Sequence, residues 1–231
     1  MYRLLIIEDD IEIEEMVCDY LQGEGYEVDG AQDGKKAMEL WNKNKYDLAL
    51  IDLMLPGCSG FDILKDIRKN SVVPVIIVTA RDSDVDKSRG FNLGADDYVT
   101  KPFSLIELSG RIKANIRRAT KYTKEIIQEE ESILIGDLTI NLREHTVSSG
   151  DKRVELTYTE FEIIRILASH KGQAFSKEQL YMKVWKEPYY GNENVINTHI
   201  NRLRGKLSGI SESGKEYIKT LWGIGYKMED Q

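Results

Sequence analysis

Over the first half of the chain, short apolar runs alternate with segments of helical period, and few folds accommodate that alternation. Arg3–Ile7, Glu27–Asp29, Leu48–Ile51, Val75–Val78 and Tyr98–Val99 read as strands. The middle ones are continuous in Ile, Leu and Val, as a parallel sheet buried on both faces requires. Between strands, Ile13, Met16, Val17 and Tyr20 recur at three- and four-residue spacing, as do Leu105, Leu108, Ile112 and Ile116, so helices with one apolar stripe connect them. Five such units imply a doubly wound α/β domain over residues 1–118.

Residues 119–131, ATKYTKEIIQEEE, lack Gly and Pro and end in an acidic run. They read as a linker whose first part extends the preceding helix. Beyond it the pattern changes to α+β over residues 132–231: short alternating strands across Ile133–Val154, then helices, then a strand pair at Tyr217–Met228. Thr157-x-x-Glu160 and Ser176-x-x-Gln179 have capping-box spacing before apolar periodic segments, so each marks a helix start.

Charge is distributed unevenly. In residues 1–118, 16 Lys and Arg oppose 22 Asp and Glu, whereas in residues 132–231, 14 oppose 13. The net charge of -7 would argue against a nucleic-acid ligand if one domain did everything, but a near-neutral second half with locally clustered bases does not. Two cysteines, Cys18 and Cys58, are too few for a disulfide framework and read as reduced packing thiols. No stretch approaches the roughly 18 uninterrupted apolar residues of a membrane span, so no membrane association and a cytoplasmic location are expected.

In an open parallel sheet, ligands bind beyond the carboxyl ends of the strands. Glu8-Asp9-Asp10 follow the first strand, Asp52 ends the third, Thr79 ends the fourth and Lys101-Pro102 follow the fifth. Taken singly these are ordinary residues, and Asp9 or Asp10 suits a helix N-cap. Together, several acids at one spot call for a hard cation such as Mg²⁺, while a Lys and a hydroxyl suit phosphoryl oxygens around an attacking carboxylate.

IIEDD, DLMLPGCSG, VTAR and ADDYVTKPF, in this order and spacing, resemble the receiver domain of two-component response regulators, which has a flavodoxin-like fold. The resemblance implies Asp52 as phosphoacceptor for a sensor histidine kinase. It also implies Asp9 as direct Mg²⁺ ligand, Glu8 assisting through water, and a backbone carbonyl from Met54. Thr79 and Lys101 would bind phosphoryl oxygens, Tyr98 would be the switch aromatic, and Lys101-Pro102 would be cis. A phosphatase with an aspartyl-phosphate intermediate needs a second carboxylate two residues after the nucleophile, where Met54 stands. The expectation is therefore a switch, not an enzyme with an outside substrate. A DNA-binding regulator indifferent to phosphorylation is the other reading kept open.

In the second domain, NVINTHINRLRGKL places Ile200, Leu203 and Leu207 within about 40° of Ile196 on one helix face. Asn194, Thr198, Asn201, Arg202 and Gly205 fall on the other. Asn and Arg make bidentate contacts to adenine and guanine edges. With LTYTEFEIIRIL, LYMKVW, HINRLRGKL and GIGYK, residues 132–229 resemble the winged helix-turn-helix effector of OmpR/PhoB regulators. The resemblance implies Arg202 as base reader and Thr198, His199 and Arg204 as backbone contacts, with a packed histidine the alternative for His199. Trp222 stands where many members carry an Arg in the wing, leaving Lys219 and Lys227 for phosphates. Asn197 departs from a common Asp. The family's dimer surface would comprise Lys87, Asp96, Asp97, Glu107, Arg111 and Arg118. Double-stranded DNA in direct repeats, a homodimer formed on phosphorylation, and RNA polymerase are the further partners implied.

Overall fold

The computed structural model describes residues 1–125, 132–186, 189 and 193–229, excluding the side chains of 118, 120–125, 193 and 194. The chain divides into two compact units, Met1–Ala119 and Thr120–Gln231.

The first unit runs β1 (Arg3–Ile7), α1 (Ile11–Gly23), β2 (Glu27–Ala31), α2 (Gly34–Lys43), β3 (Leu48–Ile51), α3 (Gly60–Asn70), β4 (Val75–Thr79), α4 (Asp84–Leu93), β5 (Asp97–Thr100) and α5 (Leu105–Glu125). All five strands pair in parallel in the order β2-β1-β3-β4-β5. Strand order reverses between β1 and β3, so the loops after these two strands face one crevice. On one face of the sheet, Leu4, Ile6, Leu48, Leu50, Ile76, Val78 and Val99 pack with Val17 and Leu21 of α1 and Leu108, Ile112 and Ile116 of α5. The alternate residues Leu5, Ile7, Ala49, Ile51, Val75 and Ile77 are buried too, which accounts for the unbroken aliphatic runs. α5 continues through Glu125, so residues 119–125 of the segment read as a linker are helical; 126–131 lie outside the described residues.

Asp10 ends β1's loop as the N-cap of α1, its carboxylate accepting from Glu12 and Ile13 N–H at 3.0 and 3.1 Å. Gly60, at the start of α3, lies so close to the Asp52 backbone that a Cβ there would stand 2.0 Å from the Asp52 carbonyl oxygen. Gly60→Ala is thus expected to push α3 off β3, destabilising the unit by roughly 1–3 kcal/mol; thermal unfolding of the variant checks it.

The second unit begins with the antiparallel meander β6 (Ser132–Ile135), β7 (Leu138–Asn141), β8 (Thr146–Ser149) and β9 (Lys152–Glu155). Three helices follow, α6 (Tyr158–Ser169), α7 (Lys177–Trp185) and α8 (Glu193–Ile210), then the hairpin β10 (Ile218–Leu221) and β11 (Gly225–Met228). Both expected capping boxes form. Glu160 accepts from Thr157 N–H at 2.9 Å, Gln179 accepts from Ser176 N–H at 2.9 Å, and each capping hydroxyl accepts the reciprocal bond. Gly225, at φ 145°, brings the hairpin against the Phe175 carbonyl, where a Cβ would lie 2.0 Å from its oxygen. That close approach lets Phe175 and Tyr226 pair as an isolated bridge, which ties the hairpin to the helical body.

Candidate functional site

The strand ends of the first unit bring the expected residues together. Asp52 is 4% exposed and Glu8 4%, and Lys101 Nζ donates to both, at 2.6 Å to Asp52 Oδ2 and 2.6 Å to Glu8 Oε1. Met54 N–H donates to Asp52 Oδ1 at 2.9 Å, fixing the carboxylate plane, while the Met54 side chain is exposed. Burial pushes the Glu8 carboxyl above its ordinary value, and the ammonium of Lys101 offsets only part of this. Burial alone would lower Lys101, but its bonds to Asp52 and Glu8 outweigh it and hold the ammonium above its usual range. Asp9 is exposed beside this pair, and one carboxylate oxygen from each of Glu8, Asp9 and Asp52 lies within 4.8 Å of the others. Three oxygen donors against one cation form a set that suits a hard divalent ion.

Thr79 is fully buried, and its hydroxyl oxygen accepts from Arg81 N–H at 3.4 Å. Tyr98 is half-buried against Phe91 and donates its hydroxyl to the Arg81 carbonyl at 2.6 Å. The Lys101-Pro102 peptide is cis. Cys18 is buried and bonded to Glu14, which with burial raises its thiol to about 12.

Of the expected dimer residues, Asp96 and Asp97 are buried, whereas Glu107 is exposed. Asp96 is fully buried beneath Arg68, 2.8 Å away, and accepts from Val75 N–H. Contrary to expectation, Asp96 therefore lies on no surface of the unit. Asp97 is also buried, 3.2 Å from Arg111, which in turn meets Glu107 at 3.1 Å. Lys87 is half-buried on α4, and the side chain of Arg118 lies outside the described residues.

In the second unit, α8 buries Ile196, Ile200, Leu203 and Leu207 as expected. It also buries Thr198 and His199, at 5% and 0% exposure, with the His199 ring 5.7 Å from Trp185. Neither side chain is a surface contact, because α6, α7 and the hairpin enclose more of α8 than its aliphatic stripe. Arg202, expected to face outward, turns toward Glu160, a fully buried carboxylate of α6, at 3.2 Å. Lys206 meets the same carboxylate at 2.7 Å. Arg204 folds onto the hairpin instead of outward, donating to the Ile218 carbonyl at 2.7 Å and Thr220 Oγ1 at 2.8 Å, with Glu216 at 2.9 Å.

Asn201 is exposed and Asn197 half-buried. Asn197 accepts the Tyr226 hydroxyl at 2.7 Å, a contact that an Asp carboxylate could also make. The Asn194 side chain lies outside the described residues. Lys219 and Lys227 oppose each other across the hairpin, each beside an acid, Glu216 and Glu229 respectively. Trp222 is 91% exposed at its tip. A groove of about 600 Å³ lies between the start of α7, α8 and the hairpin, lined by Asn197, Asn201, Arg204, Thr220 and Trp222.

Residues 4–113 match the response regulator receiver domain family, and residues 151–228 match the C-terminal domain of transcriptional regulatory proteins. The transcriptional regulatory protein YcbL of Bacillus subtilis is 45% identical over 97% of this chain and 99% of its own. The regulatory protein VanR of Enterococcus faecium is 42% identical over 98% of each. The crystal structure of the response regulator DrrB, an OmpR/PhoB homologue of Thermotoga maritima, aligns over 99% of both chains at 31% identity and TM-score 0.51. The chain belongs to the OmpR/PhoB response-regulator family. A response regulator of this type joins a receiver to a winged-helix transcriptional regulatory domain, and it is not an enzyme of the usual substrate-turning kind. Among the described residues, no helix of this response regulator is long and apolar enough to cross a membrane.

Proposed function

We propose that phosphorylation of Asp52 by a sensor histidine kinase controls dimeric DNA binding by the winged helix, in the cytoplasm. The observation that carries this reading is Lys101 Nζ at 2.6 Å from both Asp52 and Glu8. An ammonium seated on a buried carboxylate at a strand end is placed to grip an oxygen of any group attached there. In the transfer, a carboxylate oxygen of Asp52 attacks phosphorus, the phosphorus–nitrogen bond of the kinase's phosphohistidine breaks, and the nitrogen keeps the electron pair. Lys101 and the Thr79 hydroxyl hold the phosphoryl oxygens. Glu8, Asp9, Asp52 and the Met54 carbonyl would hold Mg²⁺, whose charge would offset the acids and the incoming anion. Water later hydrolyses the acyl phosphate and restores Asp52.

Engagement of Thr79 draws on the segment that carries Arg81, so the bond from Tyr98 to the Arg81 carbonyl is given up and the ring turns inward. The surface bearing Lys87, Glu107 and Arg111, with Asp97 buried beneath Arg111, then favours a two-fold pair of receivers, and two winged helices reach direct repeats about one helical turn apart. RNA polymerase is a further partner of the assembled pair.

Coupling of about 1–3 kcal/mol predicts a gain of roughly 5- to 150-fold on a two-site duplex and little on a single half-site. Binding of phosphorylated and Asp52→Asn protein to both duplexes measures it, with Glu107→Lys as interface control. Equal gains on the two duplexes, or a gain that Glu107→Lys leaves intact, would exclude dimerisation as the route.

A further inference from the structure

The three cations that follow Asn201 along α8 are engaged within the unit. Arg202 and Lys206 converge on the buried Glu160, and Lys206 also donates to the Glu155 carbonyl at 3.0 Å. Arg204 spans from α8 to β10 through the Ile218 carbonyl and Thr220. Opposite the aliphatic stripe, with Ile196 as origin, Asn197, Ser208, Asn201 and Gly205 fall between about 100° and 180° on one strip of the helix. Asn201, Gly205 and Ser208 are exposed. The strip that meets solvent is therefore neutral, and the guanidinium groups flank it.

Its two described amides are not equivalent. Asn197 already receives the Tyr226 hydroxyl on its carbonyl oxygen, so it cannot offer a donor and an acceptor together without giving up that bond. Asn201 stands exposed one turn further on, at the groove shared with Thr220 and Trp222. An Asn amide with both groups available pairs in bidentate fashion with N6 and N7 of adenine, whereas guanine, with two acceptors on that edge, suits Arg. Gly205, on the same strip with open space around it, adds no side chain to hold the helix off the bases.

We propose that Asn201 is the base-reading residue of this regulator and that its half-site carries an adenine where Asn201 enters the major groove. Arg202 is then a positioning residue, acting through Glu160 on the setting of α8. The inference rests on the DNA-binding reading above and specifies which base that reading selects.

The test is selection of bound duplexes from a randomised pool by the full chain, followed by affinities for the selected site and its single-base variants. Wild-type protein should select an adenine whose replacement costs roughly 5- to 150-fold in affinity. Asn201→Ala should erase the preference at that base pair alone, and Asn201→Arg should shift it toward guanine, both with thermal stability unchanged because the position is exposed. Arg202→Ala should keep the selected sequence while lowering the unfolding temperature and weakening all duplexes alike. If Arg202→Ala instead erased one base preference and Asn201→Ala left every preference in place, the inference would be overturned while DNA binding stood. If wild-type protein retained no duplex at all, the DNA-binding reading and this inference would both be lost.

Discussion

Asp52→Asn is expected to abolish phosphoryl labelling outright when the protein is incubated with acetyl phosphate and Mg²⁺, with intact mass as the readout. The loss should be chemical and not structural. Asn matches Asp in shape, so the Met54 N–H keeps an acceptor. The substitution also removes one of two buried carboxylates that share a single ammonium, leaving a Glu8–Lys101 pair of balanced charge. Thermal unfolding of the variant should therefore stay close to wild type. Labelling that survives would mean that another group is the acceptor, with Asp9, the exposed member of the cluster, the first to examine.

Glu160→Ala is expected to have the largest effect on stability in the second unit, about 3 kcal/mol. Its carboxylate, fully buried, caps α6 through Thr157 N–H and holds Arg202 and Lys206 of α8. Loss of a cap costs about 1 kcal/mol. Breaking a buried ion pair costs about 3–5 kcal/mol when the charge left behind stays buried. Here the two cations, 16% and 27% exposed, can reach water and recover part of that. At about 4–8 °C per kcal/mol for a unit of this size, the unfolding transition should fall by roughly 12–24 °C. Burial would raise the Glu160 carboxyl, but Arg202 and Lys206 outweigh it and hold it below its ordinary 4.5. A depressed carboxyl contributes stability that is fully present above the ordinary value and lost as pH falls through the folded one. Wild type should thus lose stability below about pH 4.5 more steeply than Glu160→Gln, whose position 160 does not titrate. Parallel acid unfolding curves for the two would remove Glu160 as the anchor of α8.

What could be read without the fold was local in sequence or followed from topology. Both capping boxes involve residues three apart, and helix geometry alone joins them. The receiver site was legible for a different reason: a parallel sheet places its strand ends on one edge, so Glu8, Asp52, Thr79 and Lys101 had to converge once the strands were identified. The side-chain contacts that sequence reasoning did not foresee depend on distant partners. Arg202 looked outward on a helical wheel because the wheel knows one buried stripe, yet α8 is enclosed by α6, α7 and the hairpin. Its partner Glu160, which lies 46 residues from Lys206, read only as half of a capping box. Asp96 looked like a surface acid until Arg68, 28 residues away, closed over it, and Asn197 meets Tyr226, 29 residues on. Periodicity and strand-end chemistry, being short-range or set by topology, determined the two domains and the carboxylate cluster. Which cations remain for DNA was decided only by tertiary packing, because a buried carboxylate claims whichever distant cations the fold brings within reach.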